Sequence, residues 1–199
     1  MNKAIIKKTI ISCIPVLLLA CGQNTGNKTT ATDGTPITAT AADTVVEQTA
    51  REAYVFAFPL VVMDVTRRKM TDGNNKEAAA INAFSNKSSF PDANFRDVVR
   101  PNADTYYSTA SLDLGTEPII LSVPDTRGRY YMMPVLDAYS NVFASPGSRT
   151  TGTKAHHFLI SGPGWKGAVP AGMEQIKAPT NMCWIIGRTQ VNGKEDGEN

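Results

Sequence analysis

TYYSTASLDL, residues 105–114, is the stretch on which the fold turns. Successive side chains of a strand point to opposite faces. Thr105, Tyr107, Thr109, Ser111 and Asp113 then make a mostly polar face, and Tyr106, Ala110, Leu112 and Leu114 a more apolar one. Downstream, Pro118 to Val123 reads as a second strand. Pro124-Asp125-Thr126-Arg127-Gly128 is a turn, with Gly128 supplying permissive backbone. Arg129 to Asp137 (RYYMMPVLD) is a third strand, so 118–137 is expected to be a hairpin. Pro134 has no N–H for a neighbouring strand, which argues for an edge position or a bulge. Tyr139 to Ser145, His156 to Ile160 and Asn181 to Thr189 add further strands. Short strands separated by turn signals predict a mainly β domain built as an antiparallel sandwich.

Upstream the pattern changes. From Asp43 to Met70 apolar residues recur at Val46, Ala50, Ala53, Tyr54, Ala57, Phe58, Val61, Val62 and Val65. Steps of three and four make one wide apolar stripe on a helix. Asp43 can cap it, and Glu47 favours its N-terminus. Arg67, Arg68 and Lys69 suit its C-terminus, although a basic run can also touch membrane phosphates. Pro59 lies inside, so two helices or one kinked helix are expected. Residues Thr71 to Lys76 form a loop.

The N-terminus reads as an address. Met1 to Lys8 is basic, and Thr9 to Leu19 is apolar apart from Thr9, Ser12 and Pro15. These are the n-region and h-region of a secretory signal over 1–20. The apolar run is too short to span a bilayer. It ends in Leu18-Leu19-Ala20-Cys21, which resembles the bacterial lipobox. That resemblance implies cleavage after Ala20, a diacylglyceryl group on Cys21 and acylation of the new amino group. Several acyl chains, at roughly 0.8 kcal/mol per buried CH₂, anchor durably where one does not. In a host with two membranes, Gly22 in place of Asp favours the outer one. The segment 21–42 is rich in Thr, Gly, Asn and Ala without an apolar period, and reads as a flexible tether.

Totals narrow the partners. The 199 residues hold 20 Lys and Arg against 18 Asp and Glu. Residues 1–20 carry Lys3, Lys7 and Lys8 and no acid, so 17 basic residues then face 18 acidic ones. The formal charge moves from +2 to −1, which gives no basis for nucleic acid as a partner. Of three cysteines, Cys13 lies in the leader and Cys21 at the lipidation point, leaving Cys183 without a mate. No C-x-x-C or Cys/His cluster calls for a metal, and no P-loop or dinucleotide fingerprint calls for a cofactor.

From Glu52 to Val191 the chain resembles the bacterial family called domain of unknown function 1254. The matching pieces are EAYVFAFPLVVMDVTRR (52–68), FPDANFRDVVRPNADTYYSTASLDL (90–114), GRYYMMPVLDAYSNVFASPGSRTTGT (128–153) and the LISGPGW…VP run ending in GRTQVNG. The resemblance implies a helical lead-in followed by an immunoglobulin-like β-sandwich over 43–191, in an exported lipoprotein, with no agreed activity. Such proteins usually continue into a jelly-roll domain, the domain of unknown function 1214. This sequence stops instead in a polar tail, 192–199, which reads as a truncation point. The chain is then a fragment, a truncated product, or a half that pairs with a separately encoded jelly-roll partner.

Chemistry concentrates in Arg96 to Thr105, at a loop-to-strand boundary. Arg100 can grip a carboxylate with both arms of its guanidinium. Asp104 can act as a base or a metal ligand, with Asn102 as a neutral oxygen donor. The same side chains can equally stitch the loop to its own backbone. Asp137, Tyr139 and Asn141 alternate along another strand, and with Arg149, Thr150, Tyr130 and Tyr107 they can wall a polar pocket. His156 and His157 are adjacent, so a strand sends them to opposite faces and they do not share a metal easily. No serine sits in G-x-S-x-G. Two functions fit these residues. One is an envelope module that binds a ligand through Arg100, Asn102, Asp104, Tyr107, Asp137 and Arg149, or assembles with the jelly-roll partner. The alternative is an envelope hydrolase whose cleft needs both domains. There Asp104 and His157 (or His156) would move protons and Arg100 would fix an anion. Whether the chain is an enzyme stays open at this point.

Overall fold

A computed structural model describes residues 41–96 and 100–197. The leader, Cys21, the tether up to residue 40, Asp97, Val98 and Val99 lie outside the described residues. The chain divides into two units, Met1–Glu47 and Gln48–Asn199. Of the first, only the opening turns of the first helix are described.

Helix α1 runs from Ala41 to Met70 as one element with Pro59 inside, so of the two alternatives the pair of separate helices does not form. Its end is well determined. Asp64 bonds Arg67 Nη2 at 2.6 Å and Arg68 Nε at 2.7 Å. Those two hydrogen bonds hold its carboxyl below the usual carboxylate range. The Asp72 side chain then accepts the Asn74 amide at 3.0 Å and turns the chain. The apolar stripe is not covered as an amphipathic helix would have it. No residue of α1 is buried, and Tyr54, Phe58, Val61 and Val65 are all more than half exposed. The helix meets the sheet domain at Phe56, whose ring lies 5.6 Å from that of Tyr139, and towards its end, where Met63, Arg67 and Met70 lie beside Ser111, Asp137 and Trp184. Among the described residues no helix is long and apolar enough to cross a membrane.

The strands follow: β1 (Phe84–Asn86), β2 (Thr105–Asp113), β3 (Ile119–Val123), β4 (Tyr131–Met132), β5 (Val135–Leu136), β6 (Val142–Ala144), β7 (His156–Ser161), β8 (Glu174–Lys177) and β9 (Met182–Gln190), before the short α2 (Lys194–Gly197). They form a sheet in the order β1-β2-β9-β5-β6, with β4 also on β9, and a second sheet in the order β3-β7-β8. The domain is therefore mainly β. Every pairing among the described residues is antiparallel except β7 with β8.

The 118–137 hairpin does not form. Its turn is real: Asp125 accepts the Arg127 amide at 2.8 Å, and Arg127 (φ 53°) and Gly128 (φ 84°) take left-handed backbone. But β3 pairs with β7, and β4 pairs with β9 in the other sheet. Both flanking strands carry inward apolar residues, Leu121 and Val123 on one, Tyr131 and Val135 on the other. Lying in different sheets, they send these side chains into one shared core. Pro134 interrupts the third strand as anticipated. Moving from Tyr131 to Leu136 steps the partner from Thr189 to Trp184 residue for residue, so β4 and β5 are one strand cut at a proline. The carbonyl of Pro134 still accepts the Ile186 amide at 3.3 Å, and the register against β6 shifts at Val135.

The core joins the inward residues of both sheets. Ala110 and Leu112 of β2, Cys183 and Ile185 of β9, and Phe158 and Ile160 of β7 are at most 3% exposed. Burying an Ile or Phe fully contributes about 1.5–3 kcal/mol before entropy is counted. Burial also pushes the Cys183 thiol up to about 11, so this cysteine stays protonated and packs as a small apolar group.

Candidate functional site

The face of β2 and β9 turned away from the core holds the site. Register pairs Tyr107 with Arg188 and Thr109 with Ile186. Because β2 buries Ala110 and Leu112, its odd-numbered residues from Thr105 to Ser111 share the other face. The Arg188 guanidinium lies over the Tyr107 ring, 5.2 Å from its centroid.

The segment after β1 builds a wall beside this face. Lys87 donates its amide to the Tyr107 carbonyl at 2.8 Å and extends the ladder by one bond. Phe90 packs tilted against Tyr106, with centroids 4.8 Å apart. Asp92 accepts the Asn94 amide at 2.8 Å, and Arg96 donates to the Ala93 and Phe95 carbonyls at 2.7 and 2.8 Å. Residues 92–96 are thus tied together by their own polar groups. Between wall and sheet lies a cleft of about 540 Å³, lined by Lys87, Phe90, Pro91, Phe95, Arg100, Pro101, Thr105, Tyr107, Thr109, Ile186 and Arg188 among others. Lys87 is bound to Glu77 at 2.6 Å, and this ion pair also borders a neighbouring depression against the end of α1.

The residues singled out in the sequence are distributed as follows. Arg100 and Tyr107 both line the cleft. Arg100 is exposed and stands in left-handed backbone at φ 57°, costly for a residue with a Cβ. No carboxylate pairs with it among the described residues. Asn102 caps the start of β2: its Oδ1 accepts the amides of Asp104 (3.2 Å) and Thr105 (2.8 Å) and the Thr105 hydroxyl (2.8 Å). Asp104 is exposed, and its backbone carbonyl accepts the Val191 amide at 3.1 Å. Neither Asn102 nor Asp104 lines the cleft. Asp137 is only 7% exposed and takes the amides of Tyr139 and Asn141 at 2.9 Å and the Asn141 side chain at 3.2 Å, so its carboxylate holds a turn. Arg149 lies over Tyr130 at 5.5 Å, elsewhere. His157 Nδ1 meets the Ser122 hydroxyl at 2.9 Å on the β3–β7 sheet, while His156 stacks on Phe158 and approaches Glu174 at 3.5 Å. Among the described residues no group of three or more His, Cys, Asp or Glu converges as metal ligands do.

Sequence reasoning passed over Arg188, Lys87, Phe90 and Phe95. Arg188 had a signal: within NMCWIIGRT it alternates with Trp184 and Ile186, a charge on a face that otherwise carries large apolar groups.

Residues 81–199 match the family described as Protein of unknown function (DUF1254). The crystal structure of the VPA0106 protein from Vibrio parahaemolyticus superposes with a TM-score of 0.59 at 28% sequence identity, over 73% of this chain and 33% of that one. The chain thus spans about a third of that protein's length. No curated protein matches. The family profile covers more than half of the chain, and the chain belongs to the DUF1254 family.

Proposed function

We propose that this chain is a membrane-anchored lipoprotein module of the cell envelope, that it binds a ligand in the β2–β9 cleft, and that its natural setting includes a jelly-roll partner domain. One observation carries the ligand reading. Arg100 and Arg188 line a single partly apolar cleft, and no acid among the described residues neutralises either. Structural arginines on a protein surface usually pair or are fully hydrated; two lining one cleft, one of them over the Tyr107 ring, suit an anionic ligand. The hydrolase reading draws less support, because Asp104 and His157 do not share the cleft with Arg100. Support for the partner domain comes from the solved relative, which is about three times as long as the part this chain matches. An immunoglobulin-like sandwich is our reading of the two sheets, supported by the single core that draws on both.

Neither cleft arginine has a salt bridge to lose. Arg100→Gln with Arg188→Gln is therefore expected to cost no more than the Arg188–Tyr107 contact, about 0.5–1 kcal/mol. A fall of several degrees would assign the two cations to the fold and end the ligand reading. The anchor has its own test. Cys21→Ser is expected to leave the membrane fraction, and continued membrane association of that variant would end the lipoprotein reading.

A further inference from the structure

We propose that the cleft takes an amphipathic carboxylate, a small molecule with one carboxylate group on an aromatic or alkyl body. The inference rests on the cleft being a binding site and adds the chemistry of its occupant.

Charge sets the headgroup. Lys87 is already bound to Glu77 at 2.6 Å. That leaves Arg100 and Arg188 as the cations without an acidic partner among the described residues lining the cleft. Two guanidiniums match one small anion and are too few for a polyanion, which needs a charge for each phosphate it neutralises. Arg188 stacks over Tyr107 at 5.2 Å. A cation held over a ring keeps its N–H donors free of a protein acceptor, and a guanidinium with free donors can hold a planar carboxylate by two parallel hydrogen bonds.

The rest of the lining sets the body. Phe90, Phe95, Pro101 and Ile186 present apolar surface, and Phe90 is itself braced on Tyr106 at 4.8 Å. The neutral polar groups are few. Of the two threonines, Thr105 already donates its hydroxyl to Asn102 at 2.8 Å. Ser89, Thr109 and the Tyr107 hydroxyl remain, fewer neutral partners than the many hydroxyls of a sugar call for. An aromatic or alkyl chain needs only to leave water. About 540 Å³ is room for a molecule of modest size.

Calorimetric titration of the full chain with 3-phenylpropionate, 3-phenyl-1-propanol and acetate separates the parts. The acid is expected to bind at least about tenfold more tightly than the alcohol or acetate. Arg188→Gln and Arg100→Gln are each expected to weaken the acid about tenfold and to leave the alcohol unchanged. Equal affinity for acid and alcohol would overturn the carboxylate and leave the cleft as a binding site. Equal affinity for acid and acetate would overturn the apolar body. No binding of any of the three would overturn the inference together with the cleft's role.

Discussion

Asp137 and Arg100 are both polar residues in irregular segments beside the same sheet, and the structure uses them in opposite ways. Asp137 is buried and satisfied by three hydrogen bonds within its own turn. Its loss strands the amides of Tyr139 and Asn141. Asp137→Ala is therefore expected to cost about 2–4 kcal/mol, read as a lower melting temperature, because each orphaned bond costs on the order of 1 kcal/mol or more. The variant's affinity for the cleft's ligand should not change. Arg100 is exposed, unpaired among the described residues and held in left-handed backbone. A residue kept in a costly conformation without a structural partner points towards a role outside the fold. The sequence marked both positions as polar, but side-chain type alone does not say whether a carboxylate will face its own turn or a pocket. For Asn102 the local alternative prevailed because the donors it caps lie only two and three residues further along the chain.

At the scale of elements, strand positions were legible and strand partners were not. Alternation in 105–114, a local property, reappears as Ala110 and Leu112 in the core opposite Tyr107 and Thr109, although Ser111 of the outer face is buried as well, beside the end of α1. Pairing is not local. The turn at 124–128 looked like a hairpin, yet β3 found β7 and β4 found β9, partners separated from them by long stretches of chain. The strand β8 (EQIK) buries only Ile176 and gives almost no apolar signal. The helix was legible as a helix, but its exposed stripe was not foreseeable from periodicity, which shows which face is apolar and not what covers it. One element contact makes a pH prediction. Arg129 grips Asp196 of α2 with two bonds of 2.5 Å, and the Arg129 bond, then the Asn192 amide, lower the Asp196 carboxyl to about 2. Unfolded, the same carboxyl titrates near 4, so the contact's stabilisation is complete above about pH 4 and is lost as pH falls towards 2. Asp196→Asn should flatten this part of the profile of melting temperature against pH. An unchanged acid limb in the variant would remove Asp196 from the account.

For the whole molecule, one shared core fixes two sheets, and the sheet of β2 and β9 thereby presents a rigid outer face next to the self-braced stretch 92–96. Binding residues carried by strands, as Tyr107 and Arg188 are, are held in place better than residues on a free loop. About half of this site could be read from the chain. Arg100 stands in the segment that drew attention for its density of polar groups and Tyr107 just beyond it, whereas Arg188 reaches the cleft only through a register set by eighty residues of intervening fold. The most direct test is a backbone amide NMR titration of the full chain with 3-phenylpropionate. Shifts are expected in 87–91, 105–109 and 186–188, with none in the Asp137 turn or around His157. Shifts confined to the exposed stripe of α1, or none at all, would contradict the account.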